Sequence, residues 1–239
     1  MKKTNNNSEP TKLGSLIEIL HITDPSLPIG SFSHSNGLET YVQQNLVKNK
    51  ISTQDFVESM LKNNYKYNDG LAVKFASNYA IEHKLQEIIN LDRETHALKA
   101  AREVRAGSQK LGNRLFKIYL QLLEDPFLLK IEELIAENKM QGHYAVIYGI
   151  ITALLKIDQD KAVCGFLYNA AVGMITNAVK LVPIGQTDGQ QIIYNVQSLI
   201  EDIALEINNL DRDNYGVCNA ALDIKCMQHE QLYSRLYMS

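Results

Sequence analysis

The sequence predicts an all-α fold, a single-domain helical bundle of roughly eight to ten helices with a flexible C-terminal tail. Apolar residues recur at helical spacing along most of the chain. No stretch alternates apolar and polar residues with β-branched enrichment, and no Asn-Gly turn separates strand-like runs. Only five prolines interrupt 239 residues, of which 45% are hydrophobic, enough for a substantial core.

The first twelve residues, MKKTNNNSEPTK, are polar, and no apolar run follows the two lysines. They read as a disordered tail rather than a secretory signal. Residues 13–225 show no linker or shift in composition and form the expected helical domain. Within it, residues 24–42 (DPSLPIGSFSHSNGLETYV) concentrate turn formers. Pro28 and Gly30 set a tight turn, and Asn36 with Glu39 is positioned to cap a helix whose apolar face is Leu38, Val42 and Leu46. Leu111, Leu115, Ile118 and Leu122 make a stripe that stops at Asp125-Pro126, where proline removes a donor. Leu128, Ile131, Leu134 and Ile135 line the next helix. A further stripe runs through Ile192, Val196, Leu199 and Ile203, with Thr187 and Gln190 as a capping pair.

Segments 143–157 and 162–180 are apolar nearly all round. Each carries a row of small residues, Ala145, Gly149, Ala153 and Gly165, Asn169, Gly173. Such rows permit close backbone approach, so the two segments are expected to pair at the centre. The stretch 162–179 lacks charge but contains Asn169, Thr176 and Asn177, which argues for a buried bundle helix over a membrane span. A short echo links Leu27-Pro28-Ile29-Gly30 to Val182-Pro183-Ile184-Gly185, suggesting two rigid turns at one end of the bundle.

Chemistry is hard to find. The serines at 31, 33 and 35 flank His34, but G-x-S-x-G and its strand are missing. No lysine follows Gly30 at Walker spacing. Cys226 and His229 stand one helical turn apart, a pair too small for more than a weak transfer site, so no metal site and no cofactor is expected. A net charge of −3 gives no reason to expect nucleic acid or a membrane as partner. Three cysteines without a CxxC pair suit a reducing cytoplasm.

Two features suggest protein partners instead. Lys99, Arg102, Arg105, Lys110, Arg114 and Lys117 form a basic row, either a solvated face or a dock for an acidic partner. The last fourteen residues, CMQHEQLYSRLYMS, end in interface-prone Tyr, Arg, Leu and Met rather than fraying polar residues. Residues 226–239 are therefore read as a partner-binding tail, with folding back on the core as the other option.

Together, L-P-I-G-S-F-S-H-S-N-G-L-E, A-R-E-V-R-A-G-S-Q-K-L-G-N-R-L, G-H-Y-A-V-I-Y-G, L-V-P-I-G-Q-T-D-G-Q and the terminal H-E-Q-L-Y-S-R-L-Y resemble the UreF family of urease accessory proteins. The resemblance implies a cytoplasmic, non-enzymatic, dimerising chaperone. It would bridge the accessory protein UreD/UreH and the GTPase UreG during nickel insertion into apo-urease. It places Tyr233, Arg235, Leu236 and Tyr237 at the UreD/UreH contact, and Pro28, Gly30, His34, Glu39 and Tyr41 at the UreG platform. A second option makes the protein a regulator of UreG GTP hydrolysis, with Arg102 or Arg105 reaching the nucleotide.

Overall fold

A computed structural model describes residues 12–31 and 34–238, so the N-terminal tail before Lys12, and Phe32 and Ser33 of the turn-rich loop, lie outside it. The helices follow in the order α1 (Lys12–Ile22), α2 (Leu38–Gln43), α3 (Lys50–Met60), a π-helical stretch (Leu61–Gly70), α4 (Leu71–Ile81), α5 (Leu85–Leu98) and α6 (Arg102–Leu123). After these come α7 (Pro126–Ala136), α8 (Tyr144–Leu154), α9 (Gln159–Leu181), α10 (Gln186–Asn195), α11 (Gln197–Asn209), a 3-10 turn (Arg212–Asn214) and α12 (Ala220–His229). No strand occurs among the described residues. The all-α class is as expected.

Local chemistry sets the boundaries. Asn49 accepts from the Ser52 amide at 3.0 Å while Ser52 Oγ takes the Asn49 amide, a reciprocal cap on α3. The helix carrying the stripe stops as expected, although Leu122, the last member of the stripe, faces solvent: Glu124 turns left-handed (φ 46°), and Asp125 accepts from Phe127 N at 2.7 Å ahead of Pro126. The stripe from Ile192 to Ile203 is not one helix, because the chain breaks at Val196 between α10 and α11. Nor do Thr187 and Gln190 cap α10. The Asp188 carboxylate does so, accepting from Gly185 N at 3.2 Å.

α3, the π stretch and α4 run on without a turn between them. The π stretch gives the helix an extra residue per turn, a geometry most often met as a short bulge.

The central pairing differs from the expected one. α8 packs most extensively on α4, not on α9. A Cβ at Gly149 would sit 2.5 Å from the Val73 carbonyl oxygen and 2.8 Å from Ala76 Cβ, so glycine is what lets these two backbones meet. On α9 the row divides: a Cβ on Gly165 would meet Ile19 of α1 at 3.0 Å and the Tyr148 hydroxyl of α8 at 3.2 Å, whereas nothing lies within 4 Å of one built on Gly173. α9 itself is long and apolar enough to cross a bilayer by length and composition, but half of its most apolar window is buried within the bundle.

α8 is anchored by a buried polar group. Asp92 of α5 accepts from the backbone amides of Gln141, Gly142 and His143 at the start of α8, the last at 2.9 Å. His143 Nε2 lies 3.2 Å from His96 Nδ1, and its Nδ1 lies 3.1 Å from Ser108 Oγ. Burial first, then the nearby Lys99 charge, pushes His143 down to about 3. The ring is therefore neutral in the fold, while the unfolded side chain gains its proton near its ordinary value.

Two outcomes follow from this packing. Gly149→Ala should lower stability by about 1–3 kcal/mol, read as a reduced urea midpoint at unchanged slope. For His143 the folded value is depressed, so its contribution is complete above the unfolded value and shrinks as pH falls toward 3. Between pH 7 and 5 it should cost about 2 kcal/mol. His143→Gln removes that share, so the difference in unfolding free energy between the two proteins should narrow by this amount over the same range.

Candidate functional site

The turn-rich loop, the start of α6 and the chain terminus meet at one buried polar cluster. Its centre is His229, the last residue of α12, with no exposed surface. Glu39 of α2 lies 3.1 Å from His229 Nε2, and Glu103 of α6 lies 2.7 Å from Nδ1. Both ring nitrogens thus face carboxylates, in a place no solvent reaches.

The same carboxylates hold the residues that follow. The amides of Leu236 and Tyr237 donate to Glu39 at 2.7 and 3.2 Å, and Arg235 Nη1 donates to Glu103 at 2.7 Å. Gln43 Nε2 reaches the Ser234 carbonyl at 3.0 Å. Residues 232–238 therefore fold back along α2 and α6, and Cys226 to His229 belong to α12. Tyr237 is buried, but Tyr233, Leu236 and Met238 face outward. One half of the terminus is docked and the other is exposed.

Local backbone geometry explains how Glu39 gets there. Asn36 (φ 50°) and Gly37 (φ 86°) both turn left-handed, so Gly37 rather than Asn36 stands at the helix boundary, and α2 lasts only six residues. Glu39 does not close a capping box but points inward to His229. Leu46 falls beyond α2 and is exposed.

The rest of the loop is held from within. Arg114 Nη1 donates to the Ile29 carbonyl at 3.0 Å, and Gly30 sits beside it at φ 82°. A Cβ there would come 2.4 Å from that guanidinium nitrogen, and the left-handed torsion would strain it as well. The echo between the two P-I-G turns is real in part. Ile29 N to Leu27 O and Ile184 N to Val182 O are both 2.7 Å, the same tight three-residue turn, but Gly185 leaves it with a negative φ.

His34 is buried against Gly107, and burial with the nearby Lys110 and Arg114 charges holds its ring below the ordinary value. Its carbonyl accepts from Asn177 of α9 at 2.8 Å. Tyr41 packs on Phe56 with ring centres 5.2 Å apart, and Pro28 is exposed.

The basic row is largely spent on structure. Arg105 donates to the carbonyl of Lys99 at 2.8 Å, Lys99 pairs with Asp69 at 2.8 Å, and Arg114 holds Ile29. Arg102 is mostly exposed and reaches Glu230 at 3.1 Å. Cys226 and His229 serve different neighbours: Cys226 Sγ packs on Gly37, and burial pushes its thiol up to about 12. The sequence reading missed Glu103, whose only signal was its place beside Arg102 at the start of a helix.

Under α12 lies a cavity of about 350 Å³. Gly107 and Ser108 of α6, Asn169 and Gly173 of α9, and Asp223 and Cys226 of α12 contribute to its wall. Asn169 and Gly173 of the α9 row border this space, while Gly165 of the same row packs on Ile19 and on Tyr148 of α8.

Comparison with known proteins gives the family. The UreF family model matches residues 47–197. A protein of Actinobacillus pleuropneumoniae named urease accessory protein UreF is 42% identical over 227 residues, 95% of this chain and 100% of that one. The chain belongs to the UreF family. Proteins of the same name from Haemophilus influenzae and from Bacillus sp. strain TB-90 are 41% and 33% identical, over 98% and 94% of this chain and 98% and 99% of theirs. In this UreF family member, Glu39, Glu103 and the His229–Tyr237 segment come from three of the stretches that carry the resemblance.

Removing the ring at the centre strands two carboxylates and should be costly. His229→Ala is expected to lose about 3–5 kcal/mol in chemical denaturation, against less than about 1 kcal/mol for Arg102→Ala, whose pair with Glu230 is exposed.

Proposed function

We propose that this chain is a urease accessory protein that works in the cytoplasm as a scaffold, without turning over a substrate. It would bridge a UreD/UreH-type protein and the GTPase UreG while nickel is passed to apo-urease. The observation that carries the reading is the division of the chain terminus. One side is fixed to Glu39 and Glu103, and the other leaves Tyr233, Leu236 and Met238 exposed, as are Ile224 and Met227 of α12. Large apolar and aromatic side chains held in this way on a fixed backbone suit a partner's pocket, since little ordering remains to be done on binding.

The homodimer that the family resemblance implies has an apolar face available in α1, where Leu13, Leu16, Ile17 and Leu20 are exposed. For the UreG platform, exposed Pro28 and partly exposed Tyr41 are the accessible members of the loop, with Gly30, His34 and Glu39 setting its shape from inside. Of the two arginines considered for a role in GTP hydrolysis, Arg102 has the freer side chain, while Arg105 is held by backbone carbonyls.

Point substitution is the sharper test, because α12 is integral to the fold and truncation at 226 would remove His229. Tyr233→Ala combined with Leu236→Ala should reduce capture of the UreD/UreH partner at least tenfold, with circular dichroism and melting temperature unchanged. Undiminished capture would overturn the tail assignment. Single-turnover GTP hydrolysis by UreG with wild-type or Arg102→Ala protein separates scaffold from regulator: a scaffold leaves the rate the same in both.

A further inference from the structure

α12 has two working faces. Leu222, Asp223 and Cys226 look into the cavity, whereas His229 at its end is gripped by Glu39 and Glu103. We infer that α12 and the segment after it form a hinged cover over this cavity, locked shut by His229 and pivoting about residues 216–219.

Three observations support the hinge and the lock. First, a helix laid over a void lacks packing partners on that side, so it gains less dispersion energy than a core helix does. α12 rests chiefly on α2 and α6, and both of those contacts include the carboxylates of the lock. Second, the connection before α12 is irregular. Gly216 takes φ 87°, and Val217 and Cys218 are exposed, with Gly216 N to Tyr67 O and Asn68 Nδ2 to Val217 O tying down its root. Third, the closed state carries a standing cost. The hydroxyls of Thr40 in α2 and Tyr237 in the tail are buried without a hydrogen-bond partner among the described residues. The lock is what offsets it.

Such a cover couples two places. The Leu236 and Tyr237 amides share Glu39 with His229, so loosening of the segment after α12 also loosens the grip on α12 itself. The inference concerns the isolated chain and stands apart from the identity of any partner.

The three free thiols supply the test. Cys226 faces the cavity and is covered, while Cys218 in the hinge is exposed and serves as an internal reference. N-ethylmaleimide labelling of the full chain, followed by mass spectrometry, gives a rate for each. Glu103→Gln should accelerate Cys226 at least about tenfold with Cys218 unchanged, since a charged hydrogen bond and an ion pair are weakened together. Hydrogen exchange should rise in parallel at the Leu236 and Tyr237 amides, which the lock holds on Glu39, while α8 stays protected. Arg235→Gln, which removes one outer arm only, should give a smaller increase of about threefold and guards against a folding defect in the first variant. Equal Cys226 rates in all three proteins would overturn the cover. So would acceleration accompanied by exchange in α8, which signals opening of the whole fold.

Discussion

A single imidazole holds this structure's ends together. His229 has no water to solvate it, so its two nitrogens must find partners inside the protein, and the fold supplies a carboxylate for each. Glu39 and Glu103 in turn are tolerable in the interior because the histidine, an arginine and two backbone amides converge on them. None of the groups could be buried alone. Their mutual dependence draws a loop near the start of the chain, the first turn of the longest amphipathic helix and the final residues to one point, across 190 residues of sequence between Glu39 and His229.

Much of the architecture was legible because helix periodicity and punctuation are local. Asp125-Pro126 announced a boundary through proline's missing donor, and the stripe from Leu111 to Ile118 lines a helix face as read. Where the reading failed, the deciding neighbour was remote. The small rows on α8 and α9 look alike in sequence, yet Gly149 touches α4 while Gly173 faces empty space. Nothing along the chain says which neighbour a glycine will have. The break at Val196 is similar, since the apolar stripe continues through it and only the packing of α10 and α11 on α9 reveals two helices.

The candidate site was legible by composition more than by geometry. Tyr, Arg, Leu and Met at the end of the sequence read as interface residues, and of these the structure leaves Tyr233, Leu236 and Met238 exposed. The inward half was invisible, because Glu39 and Glu103 each sit where helix-capping rules offer an adequate local explanation. A carboxylate in a first turn looks finished. Only its loss of solvent shows that it answers to something else.

The π stretch between α3 and α4 has a consequence for how this chain tolerates length changes. Each residue added to or deleted from a continuous helix rotates everything beyond it by about 100°. Val73, Ala76 and Ser77 face α8 at Gly149, and Lys74, on another side of the same helix, donates its ammonium to three carbonyls at the end of α11. Both faces are phased by the wide turns that precede them. A single deletion between Leu61 and Gly70 would swing the ammonium away from those carbonyls and turn bulk toward a gap fitted for glycine, so the irregular stretch acts as the index that sets α4's rotation.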